Sequence, residues 1–134
     1  MEDRYLFKAK RLDNGEWVEG HLVQTTEGNY IIVPYKHSTI CGEGSVIEID
    51  PSTICQCTGL KDKNGKLIWE NDIVKRLDIH DIKEPSIGII EYDVENTSFL
   101  IRWTDIANYS PTFPWKNRIG VIGNVFDNPE LLEV

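Results

Sequence analysis

The chain has 134 residues, room for one ordinary domain or two very small ones, and its 40% hydrophobic content is enough to bury a core and to exclude wholesale disorder. A formal net charge of -8 counts against a phosphate-binding surface, and no apolar run approaches the roughly 20 residues that a bilayer span requires. Three cysteines cannot all pair within one chain, which fits a reducing compartment better than a disulfide framework.

Period-two alternation recurs along the chain, each run closed by Gly, Asn, Asp or Pro. Tyr5 to Arg11 reads as a strand with Tyr5, Phe7 and Ala9 on one face. Asp13-Asn14-Gly15 then turns the chain, because Asn and Gly accept positive φ cheaply. Trp17 to Gln24 returns with Trp17, Glu19, His21 and Val23 on one face and Val18 and Leu22 on the other. After the turn Glu27-Gly28-Asn29, the run Tyr30-Ile31-Ile32-Val33 is apolar on both faces, which places it inside the sheet system, and Pro34 ends its pairing or marks an edge. Lys36 to Gly44 has no period and reads as loop. Val46 to Ile49 is a short strand stopped by Asp50-Pro51, with a single helical turn at Ser52 and Thr53, and Ile54 to Thr58 resumes extended structure.

Thr58 to Lys75 reads as a tight hairpin turn feeding two strands, with a second turn at Asn71-Asp72. Ile73 to Arg76 begins a strand, and a long polar excursion, Leu77 to Pro85, follows it. Ile87 to Tyr92 is the next strand, Asp93 to Thr97 a turn, and Phe99 to Trp103 a third strand with Phe99, Ile101 and Trp103 on one face and Leu100 and Arg102 on the other. Asn108 to Trp115 is an aromatic, proline-rich loop. Arg118 to Phe126 is the last strand, and Asp127 or Asn128 caps a terminal helical turn with Pro129 in first position and Glu130 against the N-terminal dipole.

A strand, a long loop and a tight meander follow the order of an SH3-like barrel. The expected fold is therefore all-β: an irregular N-terminal antiparallel β unit, residues 1–57, packed on a C-terminal SH3-like small barrel, residues 58–134, that ends in a short helical turn. The first part holds five basic and nine acidic groups and the second nine and thirteen, so each carries -4 and neither is a basic module. Met1-Glu2-Asp3-Arg4 lacks the basic-then-apolar order of a secretory signal, and a cytoplasmic location is expected.

Two stretches resemble the signatures of the YopX family, proteins of phages and prophages of Gram-positive bacteria. Thr58-Gly59-Leu60-Lys61-Asp62-Lys63-Asn64-Gly65-Lys66, followed by Trp69 to Val74, is similar to the first, and Val121 to Leu132 to the second. Leu6-Phe7-Lys8-Ala9 matches more loosely. Asn71 stands where the family carries Gly, a mild change because Asn tolerates left-handed backbone, and Lys10 stands near a position the family fills with an aromatic. The resemblance implies two small β units, the second SH3-like, and self-association. It implies no activity and carries no catalytic or binding residues over.

Candidate sites are few. Cys55 and Cys57 put two thiols on one strand face, but zinc needs four ligands with paired spacing, and neither Cys41 nor a histidine supplies a second pair; buried structural thiols explain them equally well, and no metal or cofactor is expected. His21, His37 and His80 are scattered. Asp78-Ile79-His80-Asp81 invites a hydrolase reading, since an Asp can orient an imidazole as general base, yet nothing nominates its nucleophile. Lys61, Lys63 and Lys66, with Lys75 and Arg76, are the residues through which a nucleic acid would be touched, although a hairpin tip is polar for solvation alone. Tyr109, Phe113 and Trp115, beside Pro111 and Pro114, form either a contact surface or a lid folded over the barrel's own open end. The reading that follows is a non-enzymatic phage or prophage accessory protein that assembles with copies of itself or binds a phage or host protein. Nucleic-acid binding through the barrel surface is the alternative, and a hydrolase using Asp78, His80 and Asp81 the remote one.

Overall fold

In the computed structural model, which describes residues 5–34, 46–78, 86–104 and 108–132, the described residues form eleven strands, one single-turn α-helix and short 3-10 turns. The molecule is all-β, with antiparallel sheets. It divides into two units, Met1–Cys57 and Thr58–Val134.

The first unit holds β1 (Phe7–Lys10), β2 (Trp17–Gln24), β3 (Tyr30–Pro34), β4 (Ile47–Glu48) and the start of β5 (Cys55–Lys61). They lie in the order β4-β3-β2-β1-β5. The register pairs Ala9 with Val18, Leu22 with Ile32, and Ile32 with Ile47. Because residues directly opposite share a face, these side chains stack on one side, as the period-two pattern predicts. Ala9, Ile32, Ile47 and Ile49 are its buried core, flanked by Val18, Leu22, Tyr30 and Ile54. Beyond β4 the chain comes back to β1. Arg11 bridges Ile49, the Asp50 N–H donates to the Lys10 carbonyl at 2.9 Å, and the Leu12 N–H donates to that of Glu48 at 3.1 Å. The sheet thereby curls back on itself, and the residues after β4 cover the end of β1 that its pairing with β5 leaves open. The 3-10 turn Pro51–Thr53 secures this return: the Thr53 hydroxyl accepts from the Lys10 N–H at 2.8 Å and donates to the Asp50 carbonyl at 2.7 Å.

In the second unit the latter half of β5 pairs with β6 (Leu67–Trp69). A five-stranded sheet follows, made of β7 (Asp72–Arg76), β8 (Ile87–Asp93), β9 (Ser98–Trp103), β10 (Asn108–Pro111) and β11 (Ile119–Asn124) in the order β10-β9-β8-β7-β11. Ile90 stands opposite Ile101, and Val74 opposite Val121. Val74, Ile90 and Ile101, with Trp103, Ile119 and Ile68 of β6, form the core, and Leu60, Phe99, Trp115 and Val121 pack against it. Gly88 stands opposite Trp103, and a Cβ there would lie 2.4 Å from Ile101 Cγ2, so β8 must leave a gap where the core side chains meet.

Two sequence expectations need correction. The aromatic, proline-rich segment is not loop throughout. Asn108–Pro111 pairs with β9, and Thr112–Trp115 forms the helical turn α1, followed by a 3-10 turn at Lys116–Arg118. Pro111, at φ -68°, sits at the N-cap, and Pro114 falls in the first turn, where a missing N–H breaks no helical bond. The last strand begins at Ile119 and ends at Asn124, because the Asn124 carboxamide oxygen accepts from the N–H groups of Phe126 and Asp127 and turns the chain. The loop expected over Lys36 to Gly44 lies outside the described residues.

Candidate functional site

The hairpin that the sequence marks most strongly is held by its own polar residues. Gly59 adopts φ +78°, and beside it the Thr58 hydroxyl donates to the Ile68 carbonyl at 2.7 Å and accepts from the Leu60 N–H at 3.1 Å. At the tip, Asp62 is buried at 5% exposure. Its Oδ1 accepts from the N–H groups of Asn64 and Lys66 at 2.8 and 2.9 Å, and its Oδ2 from the N–H of Val121 at 2.8 Å. The Lys63 N–H also donates to the Ile119 carbonyl at 3.1 Å. Asp62 thus shapes the turn and pins it to β11, while Lys61, Lys63 and Lys66 around it stay exposed.

The second turn of the same stretch is built alike. Asn71 adopts φ +71°, the left-handed geometry that Asn tolerates, and its N–H and carbonyl bond to Ile90 and Val125. Asp72, 3% exposed, accepts from the Trp69 N–H at 2.8 Å.

At the end of β7 the candidate residues of two different readings come together. Asp78 accepts from Arg76 Nε at 2.7 Å and from Arg118 Nε at 2.5 Å. Hydrogen bonds from Arg76 and then Arg118 lower its carboxyl from the usual 3.8 to about 2. Both guanidinium groups also cover the Trp115 ring, Arg118 at 3.8 Å and Arg76 at 5.0 Å from its centroid. That indole also meets Trp103 edge-on at 5.3 Å, and Trp103 Nε1 donates to Ser110 Oγ at 2.8 Å. Trp115 is therefore a lid of the second unit's core. Arg76, 9% exposed, is held under it rather than offered on the surface, and only Lys75 of that pair is exposed. His80 and Asp81 lie outside the described residues, as do His37 and Cys41.

The other two aromatic candidates face outward: Tyr109 is 55% and Phe113 65% exposed. Tyr109 lines a groove of about 350 Å³ with Glu91, Tyr92, Asp93 and Leu100. Arg102, opposite Tyr109 in the register, donates to the Glu91 carboxylate at 2.5 Å. The strand that carries Tyr109 is an edge with few donors: the Tyr109 N–H bonds to the Asn108 side chain at 2.9 Å, and Pro111 has no N–H. Sequence reasoning found Tyr109 but not the rest of the groove. Its acidic wall, Glu91 and Asp93, belongs to the last residues of β8 and its apolar floor, Leu100, to the outward face of β9, and each reads alone as ordinary solvated strand.

Cys55 and Cys57 are buried on one face of β5, and the Cys55 thiol donates to the Thr53 carbonyl at 3.3 Å. Among the described residues no three His, Cys, Asp or Glu side chains gather as a metal would need. His21 is exposed on the outer face of β2. No helix among the described residues is long and apolar enough to cross a membrane.

The family model described as YopX protein matches residues 6–133. A crystal structure of protein EF1440 from Enterococcus faecalis is similar in fold, with 26% identity and a TM-score of 0.56 over 95% of this chain and 96% of that one. No curated protein matches the chain.

Proposed function

The chain belongs to the YopX family, and from that premise we propose that it is a non-enzymatic phage or prophage accessory protein, a β module that assembles with copies of itself or binds a protein partner. In this reading the second unit is an SH3-like barrel that presents contact surface in the host cytoplasm. The observation that carries it is the outward display of Tyr109 and Phe113 on a short segment whose backbone is fixed by β9 pairing and by α1. Aromatic side chains held on a rigid element give large contact area with little ordering cost.

Of the residues that invited a hydrolase, Asp78 has a structural role. Asp78 gives both oxygens to guanidinium groups, so it is engaged where a general base would need an imidazole. Nucleic-acid binding keeps Lys61, Lys63, Lys66 and Lys75 as exposed cations but loses Arg76 to the Trp115 lid.

Light scattering of the purified protein, with co-purification from infected cells, tests the reading. The wild type is expected to run as an assembly or to retain a protein partner. Tyr109→Ala combined with Phe113→Ala is expected to lose that association with an unchanged melting temperature. A wild-type protein that stays a single chain at micromolar concentration and retains nothing overturns it.

A further inference from the structure

We propose that the groove over β8, β9 and β10 receives the lysine-bearing tip of the β5–β6 hairpin of a second copy of this chain; the inference rests on the self-association just proposed and names its two surfaces. The groove combines the aromatic and apolar walls Tyr92, Leu100 and Tyr109 with the carboxylates of Glu91 and Asp93. That lining suits a lysine, whose stem lies along apolar surface while its ammonium meets a ring face or a carboxylate.

The tip offers such side chains in a set geometry. Lys61, Lys63 and Lys66 are exposed, and among the described residues no ion pair joins them to a carboxylate. Asp62, the acid among them, is turned inward onto three N–H groups, so its charge does not oppose a partner carboxylate at the surface. Because those bonds and the Lys63–Ile119 bond already fix the backbone, docking orders little more than lysine rotamers. Strand addition is a poor rival mode at this place, since the β10 edge has its Tyr109 N–H bonded and none at Pro111.

Strand order decides the symmetry. The tip is bonded to β11 at one end of the sheet, and the groove reaches β10 at the other. Two different patches meet, and their separation across the strand order favours a head-to-tail contact, a ring or a filament, over a two-fold pair.

Charge reversal with light scattering tests this. The wild type is expected to form species of more than two chains that dissociate as salt is raised. Lys63→Glu with Lys66→Glu, and separately Asp93→Lys, are each expected to weaken association by about tenfold or more. An equimolar mixture of the two is expected to restore it, since each reversed surface then meets its complement. Asp93 also accepts from the Glu95 N–H and the Asn96 side chain, so Tyr109→Ala serves as a groove variant that leaves that turn intact, and the same weakening is expected of it. Reversed-tip protein that keeps the wild-type mass, or Tyr109→Ala protein that does, overturns this contact while leaving self-association standing. A wild type that remains a single chain overturns both.

Discussion

Asp62 does more for this fold than any other charged side chain in the hairpin, because its bonds reach both ways along the chain. Two of its three donors, Asn64 and Lys66, belong to its own turn, and the third, Val121, comes from a strand 59 residues later. Bonds to a charged acceptor contribute about 1.5–3 kcal/mol each, and a buried donor left without its acceptor costs more than the bond itself was worth. Asp62→Ala is therefore expected to lower stability by about 3 kcal/mol, read as a lower urea midpoint with an unchanged slope. Asp62→Asn, which keeps one carbonyl acceptor, should lose less. Asp78 gives a prediction in pH instead. Its folded carboxyl titrates at about 2 against an ordinary 3.8, so the ionised, arginine-bound form stabilises the fold above pH 3.8. That contribution fades as pH falls through 3.8 toward 2, when the folded carboxyl takes up its proton. Asp78→Asn should be less stable than wild type at neutral pH, and the gap should narrow between pH 4 and pH 2 in acid unfolding curves. The turn role of the Asp62 stretch could be read from Asp, Asn and Gly at close spacing. Its bond to Val121 could not, since no local pattern records which distant strand will approach.

The segment Asn108 to Arg118 shows the same limit at the scale of an element. Two prolines and three aromatics within eight residues read as loop, because Pro removes ladder donors and no period survives. The physical outcome is a strap: a strand short enough to tolerate Pro111 at its end, then α1 entered from that proline, then a 3-10 turn that delivers Arg118 onto Trp115. Whether an aromatic here faces the core depends on the β10 register for Tyr109 and on the helical phase of α1 for Phe113 and Trp115, and a loop reading has neither. Hence Tyr109, Phe113 and Trp115 form one group in the sequence and separate in the structure. Trp115→Ala removes an indole packed against Trp103 and Arg118 and should cost about 3 kcal/mol, whereas Phe113→Ala, at a mostly exposed site, should stay within about 0.5 kcal/mol. Equal losses in thermal melts would refute that division. Thr112 opens α1 fully buried, and its hydroxyl has no hydrogen-bond partner among the described residues. Thr112→Val keeps the shape and removes the unsatisfied oxygen, so a gain of about 1 kcal/mol is expected. A loss would mean that the hydroxyl is bonded after all.

At the scale of the whole molecule, alternation and turn chemistry made the all-β class legible, because strands such as β9 alternate cleanly between core residues (Ile101, Trp103) and outward ones (Leu100, Arg102). The curl of the first sheet was not legible. The return of Arg11 and Ile49 to each other joins residues whose local sequence carries no sign of it. Charge, by contrast, is a property of the sum and survives any folding: -8 in all, with the two units sharing it equally. A phosphate backbone would meet that field before it met the lysines of the hairpin tip, and the cations still exposed there are too few to release many counterions. Labelled duplex DNA and single-stranded RNA are accordingly expected to run unshifted with the wild-type protein at physiological salt. At low salt, any weak binding should vanish with Lys61→Ala, Lys63→Ala and Lys66→Ala together. Binding that persists near physiological salt, falls steeply as salt rises and depends on those three lysines would reverse the argument. It would mean that a local basic patch outweighs the acidic whole, and that the hairpin tip serves a nucleic acid rather than a second copy of the chain.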